Sequence, residues 1–398
     1  MCIGTTKNSI ILLYHLISNP KTYIRMKKYD NCHVNIEQED IESVVAALTA
    51  DSISGKGPAV KQFEQDLAHF FKVPHTLCCS NATMGIYMIL LLEDIGPGDE
   101  VLLPPTAPVM TILPILNAGA TPVFVDNEPG NFNVCVTDLQ QKISDKTRLL
   151  INVPMWGYAN NVDRISDICR AKGIKVLEDN SHCHGTRLKD SYLGSFGDYA
   201  IFSTHERKLV TTGEGAFFLI RALADYNRLM ELRSFGEVCR TDPEYRNVQG
   251  AYGFFSGLNF KMSAINAALG STQLQKLPAK IKVRQEHGRY LAEQLHQYTD
   301  DIREITNGMP SEDNYYSIVC KTSIARRARI EEALRQSNII SDPLRYQYQP
   351  LYKMPLFAPY ASSCPNAEAL IPTIFSLPVH EGLSKEELDL FLNIIYST

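Results

Sequence analysis

One pattern constrains this chain more than any other: from Ile36 onward, short β-rich runs alternate with stretches whose apolar residues recur at helical spacing. That alternation is the mark of a mainly parallel sheet with crossover helices on both faces. Strands are predicted at 75–79, 100–103, 122–125, 148–153, 175–177, 199–203 and 215–220, with helices between most of them, for example at 84–92, 136–143 and 162–172. Near 277–278 the character changes to a long charged helical stretch, KIKVRQEHGRYLAEQL, which reads as a connecting helix between lobes. A smaller α/β segment follows, with a strand at 315–320, a helix at 324–336, a Pro/Tyr-rich stretch at 343–359 and a last helix after Ser384. The expected organisation is an N-terminal extension (1–35), a large α/β domain with a mainly parallel seven-stranded sheet (36–275) and a smaller C-terminal α/β domain (276–398). The chemistry of such a protein is expected in loops at the ends of its strands.

Composition narrows the partners. The 398 residues are 44% hydrophobic, enough for a sizeable core, and the formal net charge is -5 with Lys and Arg dispersed. No basic footprint for nucleic acid or an anionic membrane exists, so a small charged metabolite is the expected partner. Ten cysteines occur without a C-x-x-C pair, and Cys78 and Cys79 sit in an apolar run as buried thiols do, which points to a reducing cytoplasm. The apolar stretch at 10–17 is too short to span a bilayer, is broken by His15 and lacks a small-residue cleavage site. Met26 is a candidate alternative start.

Three strand-end motifs carry chemistry. Ser80-Asn81-Ala82-Thr83 closes a strand and opens a helix, so free N–H groups, a hydroxyl and the positive end of the helix dipole face one point, as in a phosphate cradle. The same residues also suit an ordinary N-cap. Val176-Leu177-Glu178-Asp179-Asn180-Ser181-His182 ends an aliphatic strand in an acidic pair, with an imidazole three residues beyond Asp179. A buried carboxylate needs a cationic partner, and a pyridinium nitrogen is one; a strand-end Asp capping the next turn is the plainer reading. His182, Cys183 and His184 with Asp179 also compose a conceivable zinc set, but no further ligand at usual spacing accompanies them, and no metal is expected. The third motif, Ala200-Ile201-Phe202-Ser203-Thr204-His205-Glu206-Arg207-Lys208, delivers Ser203 and Lys208 into a glycine-containing turn between two core strands. Desolvation and neighbouring Arg207 would lower the pKa of Lys208 and favour the neutral amine that imine formation requires.

Taken in order, these motifs resemble the DegT/DnrJ/EryC1/StrS sugar aminotransferases, a family of fold-type I pyridoxal-phosphate (PLP) enzymes. The likeness runs from about Ile36 to the C-terminus and includes Gly96-Pro97-Gly98-Asp99-Glu100-Val101, Gly119-Ala120-Thr121-Pro122-Val123-Phe124-Val125-Asp126, Gly257-Leu258-Asn259-Phe260-Lys261-Met262-Ser263 and Ser376-Leu377-Pro378. The resemblance implies that Lys208 is the Schiff-base lysine, Asp179 the carboxylate on the pyridine nitrogen, and His182 the group beside the cofactor's phenolic oxygen. It implies Ser203, Thr83 and the Ala82 backbone as phosphate ligands, and Asn259 as a ligand of the neighbouring subunit's phosphate, hence a homodimer with shared active sites. The implied activity is ping-pong transamination from L-glutamate or L-glutamine to a keto sugar, commonly nucleotide-linked, with pyridoxamine phosphate as the alternate cofactor form. Lys208 separates the chain from sugar dehydratase relatives, which carry histidine there.

Three positions depart from the family pattern. Pro108 stands where many relatives place an aromatic residue over the cofactor ring, Pro154 replaces a histidine, and Arg345-Tyr346-Gln347-Tyr348 replaces a His-Tyr-Pro-like segment. All fall where the acceptor is expected, so an unusual acceptor, such as a keto-cyclitol or an unactivated keto sugar, stays open; Arg345 and Lys56 would suit an anionic group on it. A non-catalytic PLP-binding regulatory protein is the rival of another class, against which the complete Lys208, Asp179 and Ser203 set argues.

Overall fold

The computed structural model describes residues 27–50, 52–239, 245–247 and 249–398, so the stretch at 10–17 and Met26 lie outside the described residues. In chain order the first part comprises helices α1 (Gln38–Thr49) and α2 (Pro58–Phe71), strand β1 (His75–Cys79), α3 (Ala82–Leu92), β2 (Glu100–Leu103), α4 (Val109–Asn117), β3 (Thr121–Phe124), α5 (Val136–Lys142), β4 (Thr147–Asn152), α6 (Val162–Ala171) and β5 (Lys175–Asp179). Two short strands, β6 (Arg187–Leu188) and β7 (Ser191–Tyr192), precede β8 (Tyr199–Ser203), β9 (Ala216–Ile220) and α7 (Leu223–Arg233).

Seven of these strands form one sheet in the order β1-β9-β8-β5-β4-β2-β3. Every neighbouring pair from β8 to β3 is parallel, while β9 runs antiparallel to both β8 and β1. Six strands therefore end at the same edge. There the chain leaves β1 for Ser80, β5 for Asn180 and β8 for Thr204, which brings the three motifs together at the carboxyl edge. Both faces of the sheet are covered, and every residue of β8 and β9 is buried, which is why these strands read as continuous apolar runs.

The connecting helix is longer than its charged part suggests. It is α8 (Ala264–Tyr298), capped by the Ser263 hydroxyl on the Asn266 amide, and it passes through 275–276 unbroken. Its first turns are small and apolar, with Ala264, Ala267, Ala268 and Gly270 buried, so they read as core. Pro278 forfeits one backbone bond inside it, and packing of Leu274 and Leu277 on the core carries the helix past that loss.

The C-terminal part holds β10 (Arg303–Glu304), β11 (Ser311–Glu312), β12 (Ile318–Lys321), α9 (Ile324–Gln336), α10 (Asp342–Arg345), α11 (Pro365–Leu370), β13 (Ile374–Leu377) and α12 (Lys385–Tyr396). β10, β12 and β13 form a small antiparallel sheet with its own core, whereas β11 pairs with β6 of the large part. The strand predicted from 315 starts at Ile318 because Tyr315 takes a left-handed conformation, φ 50°, that interrupts extended backbone. Residues from the expected N-terminal extension lie on this lobe: Tyr29 bridges Ile339, and Asn31 Nδ2 donates to Asp342 at 2.6 Å. Among the described residues no helix is long and apolar enough to cross a membrane.

Candidate active site

At the carboxyl edge of the sheet a cavity of about 420 Å³ is lined by residues of all three motifs, among them Ala82, Thr83, Asp179, His182, Ser203 and Lys208. A larger cavity of about 590 Å³, near Lys56, Arg233 and Glu237, contains none of them.

Strand alternation decides which member of the acidic pair faces the cavity. Glu178 is fully buried and accepts from the amides of Gly194, Phe196 and Gly197 at 2.7, 2.8 and 2.7 Å, so it anchors that loop. Asp179 turns the other way. Its Oδ2 accepts from the Thr111 hydroxyl at 2.8 Å and its Oδ1 from the Ser181 hydroxyl at 2.6 Å. These partners orient the carboxylate without neutralising it.

The turn after β1 works both as cap and as cradle. The Asn81 side chain accepts from the Met84 amide at 2.9 Å and the Asn81 carbonyl from Gly85, which leaves the Ala82 and Thr83 amides beyond the reach of any intrahelical carbonyl. Gly85 lets α3 approach β8: a Cβ there would fall 2.6 Å from Ile201 Cδ1. The helix N-terminus is thereby held near Ser203, which is 9% exposed and lines the same cavity.

Lys208 lies in the turn between β8 and β9, pinned by Thr204 N–H to the Gly215 carbonyl and Glu206 N–H to the Gly213 carbonyl, both 2.8 Å. Its Nζ is 5.3 Å from the centroid of Tyr316. Burial pulls the Lys208 amine down to about 8, against the opposing pull of Asp179 and Asp342 and with help from Arg207.

His182 lies flat on Tyr316, ring centroids 4.2 Å apart and planes within 5°. Its Nδ1 accepts from the Trp156 amide at 3.3 Å, and Trp156 adopts φ 52° to present that N–H. Burial first, then the nearby Lys208 charge, holds the imidazole well below the usual histidine range. It is therefore neutral, with the remaining proton on Nε2. His184 points elsewhere, into Phe202 and Phe217, so the adjacent imidazoles do not converge.

Other candidates lie apart. Asn259 is exposed, bridges Ser234 and does not line the Lys208 cavity. Lys56 pairs with Glu237, and Arg345 with Asp30 at 3.2 Å. Pro108 does line the cavity, as the residue before α4, and Tyr348 packs edge-on against Trp156, 5.2 Å between centroids, and donates to the Thr106 carbonyl. Sequence reasoning missed Thr111, Ser181 and Tyr316; only Ser181, two residues from Asp179, left a trace, as the usual partner in an Asx turn.

The donor set fits pyridoxal phosphate: a depressed lysine amine, an oriented carboxylate with uncharged partners awaiting a cation, and a helix N-terminus beside a serine hydroxyl for the phosphate. On this sheet topology these features define a PLP-dependent enzyme of fold-type I. The sequence model of the DegT/DnrJ/EryC1/StrS aminotransferase family matches residues 34–395, and the chain belongs to that family; it is a PLP-dependent aminotransferase. The chain is 27% identical over 350 residues to the GDP-perosamine synthase of Escherichia coli O157:H7, covering 87% of this chain and 92% of that one. It is likewise 27% identical over 377 residues to a dTDP-4-dehydro-2,3,6-trideoxy-D-glucose 4-aminotransferase of Saccharopolyspora spinosa, covering 90% and 94%. The candidate sugar aminotransferase Spr1654 of Streptococcus pneumoniae, in its PMP form, superposes with a TM-score of 0.82 at 25% identity over 92% of this chain and 98% of that one.

Proposed function

We propose that the enzyme moves an amino group from L-glutamate or L-glutamine to a keto sugar carried on a nucleotide, in the biosynthesis of an amino sugar in the cytoplasm. The observation that carries this reading is the convergence of Lys208 and Asp179 on one cavity in a family whose named relatives aminate GDP- and dTDP-linked sugars.

In this reading Lys208 Nζ binds the cofactor covalently, Asp179 holds the pyridine nitrogen protonated, and the Ala82 and Thr83 amides with the Thr83 and Ser203 hydroxyls hold the phosphate. His182 offers its Nε2 proton to the phenolic oxygen, and Tyr316 keeps the imidazole flat. Bound PLP supplies the electron sink that stabilises a carbanion at the substrate carbon. Once released from the cofactor, the Lys208 amine is placed to carry a proton at Nζ to and from that carbon. Asn259 reaches the phosphate held by the second subunit of a homodimer, which accounts for its exposed position in one protomer. Two lobes, 36–275 and 276–398, with their boundary inside α8, frame the site, and residues 27–35 pack against the smaller one.

The test is to load the enzyme with pyridoxamine phosphate and screen nucleotide-linked keto sugars, free keto sugars and keto-cyclitols for conversion to the aldehyde form, followed by its visible absorbance. Conversion by a nucleotide-linked keto sugar is expected; exclusive conversion by a keto-cyclitol or a free keto sugar overturns the acceptor assignment. Lys208→Ala should lose both the band and turnover.

A further inference from the structure

Arg207 immediately precedes Lys208 and lines the same cavity. Its side chain is nine-tenths buried, yet among the described residues no hydrogen-bond acceptor serves its Nε or Nη2. The carboxylates around it stand back: Asp30 Oδ2 is 3.6 Å from Nη1 and Asp342 Oδ1 is 3.5 Å from Nη2. Charge-assisted hydrogen bonds of this kind close to about 2.7–2.9 Å. Both carboxylates have other engagements, Asp30 with Lys28 at 2.9 Å and Arg345 at 3.2 Å, and Asp342 with Asn31 at 2.6 Å. Three cations, Arg207, Lys28 and Arg345, thus share two carboxylates, and neither carboxylate closes a hydrogen bond on Arg207. A buried guanidinium with open donors is costly unless an anion fills its fork.

From these observations we infer that Arg207 receives the α-carboxylate of the amino donor. The inference deepens the aminotransferase reading. A reacting amino acid must bring its nitrogen to the carbon that Lys208 serves, and its carboxylate lies only two bonds from that nitrogen. Among the described residues lining the cavity, Arg207 and Lys208 are the only lysine or arginine side chains, and Lys208 is occupied by its own role. The planar fork of Arg207 matches a carboxylate in two parallel bonds, which a lysine cannot reproduce.

The test uses holoenzyme, wild type against Arg207→Met and Arg207→Lys, with rapid-mixing kinetics of the donor half-reaction on L-glutamate and L-glutamine. Arg207→Met should raise the half-saturating concentration of both donors roughly 10- to 100-fold, and Arg207→Lys should recover part of it. Equilibrium binding of α-methyl-L-glutamate, which has no Cα proton and is not turned over, should weaken by the same factor in calorimetry. If Arg207→Met does not fold, a several-fold weakening in Arg207→Lys serves in its place, and wild-type binding by Arg207→Lys then overturns the inference. It is also overturned by unchanged donor binding, by a loss for glutamate that spares glutamine, or by a loss confined to the acceptor half-reaction. These would mean respectively no carboxylate role, a site for the side-chain carboxylate, and a site for an acceptor phosphate. The donor half-reaction requires no sugar, so failure of the acceptor screen leaves this result standing.

Discussion

Glu178 and Asp179 are neighbours on β5 with opposite duties: Glu178 closes three backbone hydrogen bonds in the 194–197 loop, while Asp179 stands in the Lys208 cavity between Thr111 and Ser181. Their substitutions should separate stability from catalysis. Glu178→Ala leaves buried amides without acceptors and should lower stability by at least about 3 kcal/mol, read as a drop in urea midpoint. Asp179→Asn should unfold near the wild-type midpoint yet lose most of the rate, because an amide cannot hold the pyridine nitrogen protonated. Near-wild-type turnover in Asp179→Asn would make Asp179 structural.

Lys208 gives a pH signature. In cofactor-free protein its amine is held at about 8, chiefly by burial, against 10.5 for free lysine. The capture rate of pyridoxal phosphate should therefore climb about tenfold per pH unit below that point, then level off. Because the unfolded chain holds this proton to higher pH than the folded one, apoprotein stability should rise with pH between about 8 and 10.5. A capture rate still climbing steeply above pH 10 would show an unshifted amine.

Trp156 and Gly157 both take left-handed backbone, φ 52° and 91°, at the point where the Trp156 amide donates to His182. A Cβ on Gly157 would lie 2.0 Å from Asn314 Oδ1 and 2.6 Å from the Tyr316 amide nitrogen. Gly157→Ala should therefore cost more than about 2 kcal/mol and disturb the His182–Tyr316 stack. A melting temperature within about 2 °C of wild type would contradict the tight fit.

Asn259 tests the shared site. Asn259→Ala should release cofactor faster, and mixing it with Lys208→Ala should restore activity, since a mixed dimer contains one site with an intact lysine and an intact partner asparagine. Failure to recover after subunit exchange has been demonstrated would confine the site to one chain.

Much of this was legible along the chain. β1, β2 and β8 and the helix Ile324–Gln336 fall where alternation and caps place them, because apolar runs buried on both faces and Ser/Asn caps are local signals. Lys208, Asp179, His182, Ser203 and Thr83 were visible as strand-end residues, since the edge of a parallel sheet collects such ends into one crevice. The start of α8 was obscured because its first turns look like core, and the strand at 315 because nothing local announces the left-handed Tyr315.

The sequence by itself determined the order of the seven strands of the large sheet, the sheet class and the strand-end places of the candidate amine Lys208 and candidate carboxylate Asp179, because each rests on residues close together in the chain. Only the tertiary structure decided that Thr111, 68 residues from Asp179, orients that carboxylate, that Tyr316 from beyond α8 supports His182, and that Asp30 and Asp342 flank Arg207 from distant segments. Such contacts depend on how the sheet edge, the small lobe and the 27–35 segment close around one cavity, and no local pattern in the chain encodes that closure.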